Sequence, residues 1–256
     1  MKNYFDLTGD VALVTGASSG LGVQFAKALA NQGTKVAIVA RREDKLIEVK
    51  EEIEKEYGVE VEYFVCDLTD YEKVRDLVAA VKERFSKIDI LVNNAGLGIV
   101  APTVNYDVDD WKKVMDININ SIFYLAKEVG KLMIDQQYGR IINLGSLHSS
   151  VVMKESPLNA YTTSKGAVKM LTKALATEWA KDGITVNAIG PAYFATEMTA
   201  KKFNSSGFKD TVRVYCPMER PGREGELDTT LLYFASHYSS YTTGQLVSVD
   251  GGWTAI

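Results

Sequence analysis

Three groups of residues have the types and spacing that chemistry requires. Residues 15–22 read Thr-Gly-Ala-Ser-Ser-Gly-Leu-Gly. A glycine-rich turn lets backbone N–H groups approach a pyrophosphate, and a helix starting behind it adds partial positive charge. The second group is Arg41-Arg42, two guanidiniums able to fork onto a phosphate. The third is Tyr161 with Lys165, four residues apart. A phenol titrates near ~10 and transfers protons poorly unaided; a cation one helical turn away favours the phenolate and brings it towards working pH. Each group also has an ordinary explanation: a tight turn, a solvated charged pair, a surface pairing on a helix. The elements that hold them decide which applies.

Short runs rich in Val, Ile and Ala alternate with longer segments of helical periodicity, the pattern of repeated βα units around a parallel sheet. The expected strands are Val11 to Thr15, Lys35 to Val39, Val61 to Val65, Ile88 to Val92, Arg140 to Leu144, Ile184 to Ile189 and Leu246 to Val249. Their near-continuous apolar character predicts helices on both faces. The fold class is therefore α/β, a single-domain doubly wound parallel sheet of about seven strands over residues 1–256; with the glycine turn after the first strand it reads as a Rossmann-type dinucleotide-binding domain, expected to carry both cofactor and substrate sites. Glu43 to Tyr57 places Leu46, Val49, Ile53 and Tyr57 on one helical face, and Asp70 is an N-cap candidate for the next helix. Leu158 to Lys181 reads as a helix, so Tyr161 and Lys165 emerge on one side of it. Lys201 to Lys209 reads as a loop-like local insertion.

The glycine turn lies between the first strand and a helix beginning near Val23, the context in which dinucleotides bind. An acidic residue at the end of the second strand accepts hydrogen bonds from the ribose hydroxyls of NAD, whereas this strand ends Ala40-Arg41-Arg42. Two guanidiniums there can neutralise a 2′-phosphate, so NADP(H) is preferred over NAD(H).

At this point the chain resembles the short-chain dehydrogenase/reductase family over essentially its whole length. Gly16, Ser18, Ser19, Gly20, Leu21 and Gly22 fall in its TGxxxGxG turn, Cys66-Asp67-Leu68 is similar to its adenine-contacting segment, and Asn93, Asn94, Ala95 and Gly96 match its NNAG. Tyr161 and Lys165 match its YxxxK, Ser146 falls where its catalytic serine follows strand five, and Asn118 matches the asparagine of its NxxxxF segment. The resemblance implies a catalytic tetrad of Asn118, Ser146, Tyr161 and Lys165. Tyr161 would exchange a proton with the substrate oxygen as hydride moves, Ser146 would hold that oxygen, Lys165 would also reach the nicotinamide ribose, and Asn118 would position a relay water. Pro191, Tyr193 and Thr196 belong to a segment similar to PGxxxT, which holds the nicotinamide carboxamide; Ala192 replaces its glycine, at a steric cost if that position needs positive φ.

The substrate walls are expected in Leu147 to Asn159 and in a lid, Ala192 to Arg213. His148, Tyr193, Phe194, Met198 and Phe203 are the candidate substrate residues; Phe208 is a further lid aromatic that closes over a ligand or joins the others in the lid's own core. Lys201, Lys202, Lys209 and Arg213 give the lid local positive charge suited to a carboxylate, or a solvated face. GSLHSSVVMKESPLNAY, PAYFATEMT and VDGGWTAI look most like the gluconate 5-dehydrogenase group, implying interconversion of a secondary alcohol and a ketone such as gluconate and 5-ketogluconate. Hydroxysteroid (bile acid) dehydrogenases and 3-oxoacyl thioester reductases share the scaffold, and a catalytically silent dinucleotide-binding sensor or scaffold is the reading from another class.

A net charge of −4 over 256 residues gives the whole chain no electrostatic footprint for nucleic acid or anionic membrane, so the expected partner is a small-molecule alcohol or ketone. No apolar run approaches the ~18 residues of a membrane helix and the first residues lack a signal-peptide core, so the expected compartment is the cytosol. Cys66 and Cys216 define neither a disulfide framework nor a metal site, and no metal is expected. His237 is expected on the surface. The family's habit implies a homotetramer or homodimer through the long helices around Ile117 to Met133 and Leu158 to Ala180.

Overall fold

The computed structural model describes residues 2–154, 156–196, 203 and 206–255. Seven parallel strands form one sheet: β1 (Val11–Thr15), β2 (Lys35–Ala40), β3 (Val61–Val65), β4 (Ile90–Asn93), β5 (Gly139–Leu144), β6 (Ile184–Pro191) and β7 (Leu246–Val249). Their spatial order is β3-β2-β1-β4-β5-β6-β7. The order reverses between β1 and β4, and the carboxyl ends of strands flanking such a switch point open a crevice for ligands. Strand four is assigned from Ile90, two residues later than its apolar run predicts; Asp89, just before it, already bonds β1, its carboxylate accepting from Val11 N (2.8 Å) and its N–H donating to Val11 O (2.9 Å).

Helices α1 (Gly20–Ala30), α2 (Glu43–Tyr57) and α3 (Tyr71–Phe85) follow the first three strands; α4 (Val108–Met115), α5 (Ser121–Gln136), α6 (Asn159–Trp179), α7 (Ser206–Tyr215) and α8 (Asp228–Ala235) complete the set among the described residues. Side chains of a strand alternate between faces, and β1 shows how both are filled. Ala12 and Val14 join Phe25 and Leu29 of α1, Leu46 and Ile53 of α2 and Phe234 of α8. Val11 and Leu13 join Val74 and Leu77 of α3, Leu125 and Val129 of α5 and Trp179 of α6. Central strands are buried along their length, while the edge strands β3 and β7 are only partly covered.

The Asp70 carboxylate caps α3 by accepting from Glu72 N and Lys73 N, satisfying two of the orphan donors at the helix start. Three local expectations differ. Helix α1 starts at Gly20, not near Val23, because Ser19 is the extended residue before it. The helix expected through Asn118 is α4, then a π-helical turn Asp116–Asn120, then α5. Lys209 lies within α7, whose Phe208 and Val212 repeat at helical spacing and are buried; the polar run Asn204-Ser205-Ser206 masks that periodicity in the sequence.

Candidate active site

A cleft of ≈ 520 Å³ opens at the switch point, within the ~300–1,000 Å³ usual for small-ligand sites. Its floor is the turn after β1. Gly16 has φ +66° and an added Cβ there would lie 2.8 Å from Asn94 Nδ2, so the position admits glycine alone. A Cβ on Gly22 would collide with the carbonyl oxygen of Gly16, which explains how α1 begins so close beneath the turn. Thr15 Oγ1 accepts from Asn94 N (3.0 Å) and Ala95 N (3.1 Å), and Asn94 Nδ2 donates to Thr15 O (2.9 Å). These bonds join the turn to the loop after β4. Gly16, Ser18, Ser19, Gly20, Leu21, Arg41, Arg42, Asp67, Leu68, Ala95, Gly96, Pro191 and Thr196 all line the cleft. Arg42 Nη2 donates to Ser18 Oγ (3.1 Å), bringing the end of β2 onto the turn. The Asp67 carboxyl is held below its ordinary range by bonds from the Thr69 hydroxyl and N–H.

Ser146, Tyr161 and Lys165 line the same cleft, beside Gly145 and Leu144. They come from the end of β5 and the first turns of α6. Ser146 caps a short 3-10 turn, its hydroxyl accepting from His148 N (3.1 Å). Lys165 Nζ donates to Leu144 O (2.6 Å) and lies 5.7 Å from the centre of the Tyr161 ring. Asn118 is wholly buried. Its Oδ1 accepts from Leu97 N (2.8 Å), and its Nδ2 donates to Leu97 O (2.9 Å) and to Ser164 Oγ (2.9 Å). Asn118 therefore clamps the loop after β4 to α6, and the π-helical turn is what carries its side chain to both.

The electrostatics amend one expectation. Burial pushes the Tyr161 phenol above its ordinary value, partly offset by a hydrogen bond with Ser146. Burial brings Lys165 down to about 8. For the phenol, desolvation outweighs the bond from Ser146, and the nearby ammonium, bonded to Leu144 O, contributes nothing that offsets it.

Other placements differ from the sequence reading. The Asn93 side chain faces into the sheet and donates to Asn143 Oδ1 (2.8 Å); the neighbouring Asn94 is the one that lines the cleft, since successive side chains leave a strand end on opposite faces. Gly22 supports the turn from below. Tyr193 lines a second hollow of ≈ 640 Å³, and its phenol is raised above its ordinary value by burial and by the neighbouring Tyr161. There it packs at 5.1 Å on Phe208 and 5.4 Å on Trp253, its hydroxyl 3.2 Å from Met153 Sδ. Phe203 stacks on Phe208 at 4.8 Å, so these lid aromatics form a small core of their own. Phe194 lines both hollows. His148 is buried and sits edge-on to Tyr161, ring centres 5.9 Å apart, behind the cleft wall. Met198, Lys201 and Lys202 lie outside the described residues. Ala192 is not among the residues of positive φ, so replacing glycine there costs no backbone strain. His237 is half-exposed yet bonded at 2.9 Å to the buried Asp10 carboxylate. Both cysteines are free and buried, and no described helix is long and apolar enough to cross a membrane.

Sequence reasoning missed Ile117, Leu144 and Gly145 in the cleft wall. Asn94, named within the NNAG motif, also carries a physical signal, because a polar residue directly after an apolar strand must find partners at the sheet's end. Leu144 acts through its main-chain carbonyl, which no side-chain pattern reports.

The profile of the short chain dehydrogenase family matches residues 10–207. Gluconate 5-dehydrogenase of Gluconobacter oxydans is 38% identical over 252 residues, 98% of this chain and 97% of the relative. Galactitol 2-dehydrogenase (L-tagatose-forming) of Cereibacter sphaeroides is 36% identical over 253 residues, 99% and 98% of the two chains. The crystal structure of a gluconate 5-dehydrogenase from Burkholderia cenocepacia in complex with NADP and tartrate matches with a TM-score of 0.94 at 34% identity, covering 99% of this chain and 98% of that one. Motif order, parallel sheet, glycine turn and full-length likeness agree: the chain belongs to the short-chain dehydrogenase/reductase family.

Proposed function

We propose that this chain is an NADP(H)-dependent oxidoreductase that interconverts a secondary alcohol and a ketone on a polyhydroxylated substrate, a sugar acid or a polyol. The observation that carries the reading is that Ser146, Tyr161 and Lys165 line the same cleft as the glycine turn and Arg41-Arg42. The cleft suits a dinucleotide: its glycine turn leaves no room for a Cβ on Gly16, and its ribose end carries two guanidiniums and a glycine-turn hydroxyl. When bound, the nicotinamide supplies or accepts the hydride. Tyr161 gives the proton to the substrate oxygen in reduction and takes it in oxidation. Ser146 hydrogen-bonds that oxygen and fixes its approach. Lys165, held by Leu144 O, keeps two N–H bonds for the ribose hydroxyls and for stabilising the phenolate. Arg41 and Arg42 would hold the 2′-phosphate, Asp67 and Leu68 would border the adenine, and Pro191 with Thr196 would hold the carboxamide. Asn118 keeps the loop after β4 in register with α6.

A polar substrate is supported by the names of the relatives above and by the packing of Tyr193, Phe203, Phe208 and Trp253 on one another, which leaves those rings committed to the lid itself. Phe194, which lines the cleft, and His148, whose ring stands edge-on to Tyr161, would meet the substrate. Exposed Phe123 on α5 and Met170 on α6 support a homo-oligomer formed through these helices. The test of the function is NADPH consumption with 5-ketogluconate, a neutral ketose, an oxo bile acid and an acetoacetyl thioester, with NADH in parallel. Selective turnover of the hydroxylated ketones is expected; selective turnover of the steroid or thioester would overturn the substrate class.

A further inference from the structure

The turn of α6 that separates Tyr161 from Lys165 contains a buried hydroxyl. Ser164 is wholly buried. Its Oγ accepts from Asn118 Nδ2 (2.9 Å) and donates to the main-chain carbonyl of Tyr161 (2.7 Å). The direction of these bonds is fixed from one end. Leu97 N–H and C=O both engage the Asn118 amide, so a flipped amide would face donor with donor and acceptor with acceptor. Asn118 Nδ2 must therefore donate to Ser164, whose own proton is left for the Tyr161 carbonyl. In an α-helix that carbonyl also receives the N–H of the residue four on, here Lys165. A side-chain hydroxyl bonded back to a preceding carbonyl bends the local helix. The hydroxyl thus acts on the one turn whose shape sets the spacing of Tyr161 and Lys165, and ties it through Asn118 to the loop bearing Gly96.

We propose that Ser164 is a positioning residue: the chain Leu97–Asn118–Ser164–Tyr161 carbonyl sets the relative placement of the Tyr161 phenol and the Lys165 ammonium. The inference rests on the dehydrogenase reading above. Ser164 touches no reacting atom, and its removal acts on orientation, to which turnover is steeply sensitive.

The test compares the full-length protein with Ser164→Ala and Tyr161→Phe, using NADPH with whichever ketone of the panel turns over and NADP+ with the corresponding alcohol. Ser164→Ala removes one oxygen from a packed site and adds no bulk. Its expected effect is a fall in kcat of roughly tenfold and a displacement of the pH dependence of kcat for alcohol oxidation to higher pH, because a less well-placed cation supports the phenolate less. NADPH affinity, read by tryptophan fluorescence, stays unchanged. A merely structural role would lower thermal stability and leave the pH profile of the folded fraction where it was. That result, or unchanged kcat with Tyr161→Phe inactive, overturns the role of Ser164 alone. Absence of turnover by the unsubstituted protein across the panel overturns the dehydrogenase reading and this inference together.

Discussion

Replacing Lys165 with methionine should remove activity and at the same time stabilise the protein at neutral pH. Lys165 is 3% exposed, and burial lowers its pKa from the ordinary 10.5 to about 8. That gap corresponds to roughly 3 kcal/mol by which the folded state disfavours the charged amine. Methionine has a similar unbranched stem and no charge. Against the gain stands the bond from Nζ to Leu144 O (2.6 Å), whose loss leaves a carbonyl short of a partner at a cost of ~1–2 kcal/mol. The net expectation at pH 7 is a gain of ~1–2 kcal/mol for Lys165→Met. The dependence on pH has a definite sign. Below about 8 both folded and unfolded chains carry the proton and the penalty is complete. Between about 8 and 10.5 the unfolded chain binds the proton and the folded chain does not, so the stability of the unsubstituted protein rises with pH. Urea unfolding of both proteins without cofactor, at pH 7 and near pH 10, measures this; the difference cancels every other titrating group. The advantage of the variant should shrink as pH rises and reverse near pH 10. A variant less stable at pH 7, with a difference that does not move with pH, would refute the assignment of Lys165 as a desolvated charge.

Arg41→Asp should move the ratio of kcat/KM for NADPH over NADH towards NADH by at least about tenfold, because losing one charge-assisted bond is worth ~1.5 kcal/mol or more; an unmoved ratio would remove the 2′-phosphate from this residue. Gly22→Ala should weaken NADPH binding and cost ~1–3 kcal/mol of stability, since the new methyl collides with Gly16 O and sits 2.7 Å from Asn94 Nδ2. Wild-type values in fluorescence titration and urea unfolding would show that the turn has slack the structure does not.

The sheet was legible because seven apolar runs separated by amphipathic segments have one economical solution, and the structure adopts it with three strand boundaries unchanged and the others shifted by two residues or fewer. The glycine turn was legible for the same reason: Gly16 and Gly22 stand where backbone meets backbone or amide. Less legible was anything set by direction. Asn93 and Asn94 look equivalent in sequence, yet the pleat sends the first to Asn143 and the second to the turn. Tyr193 belongs to a cofactor motif by position, but its ring finds Phe208 and Trp253, contacts between segments that no local pattern brings together. The Tyr161–Lys165 spacing gave the pairing of the side chains on one helix face; it did not give the Leu144 carbonyl that claims the ammonium.

Proton transfer by Tyr161 in the proposed NADPH-dependent ketone reduction is tested most directly by turnover and NADPH affinity of Tyr161→Phe beside the unsubstituted protein. The expected result is a fall in kcat of at least about 10²-fold, the scale of a lost general acid, with NADPH bound as tightly as before. Turnover retained within a few-fold would contradict it, and would move the proton to another group in the cleft.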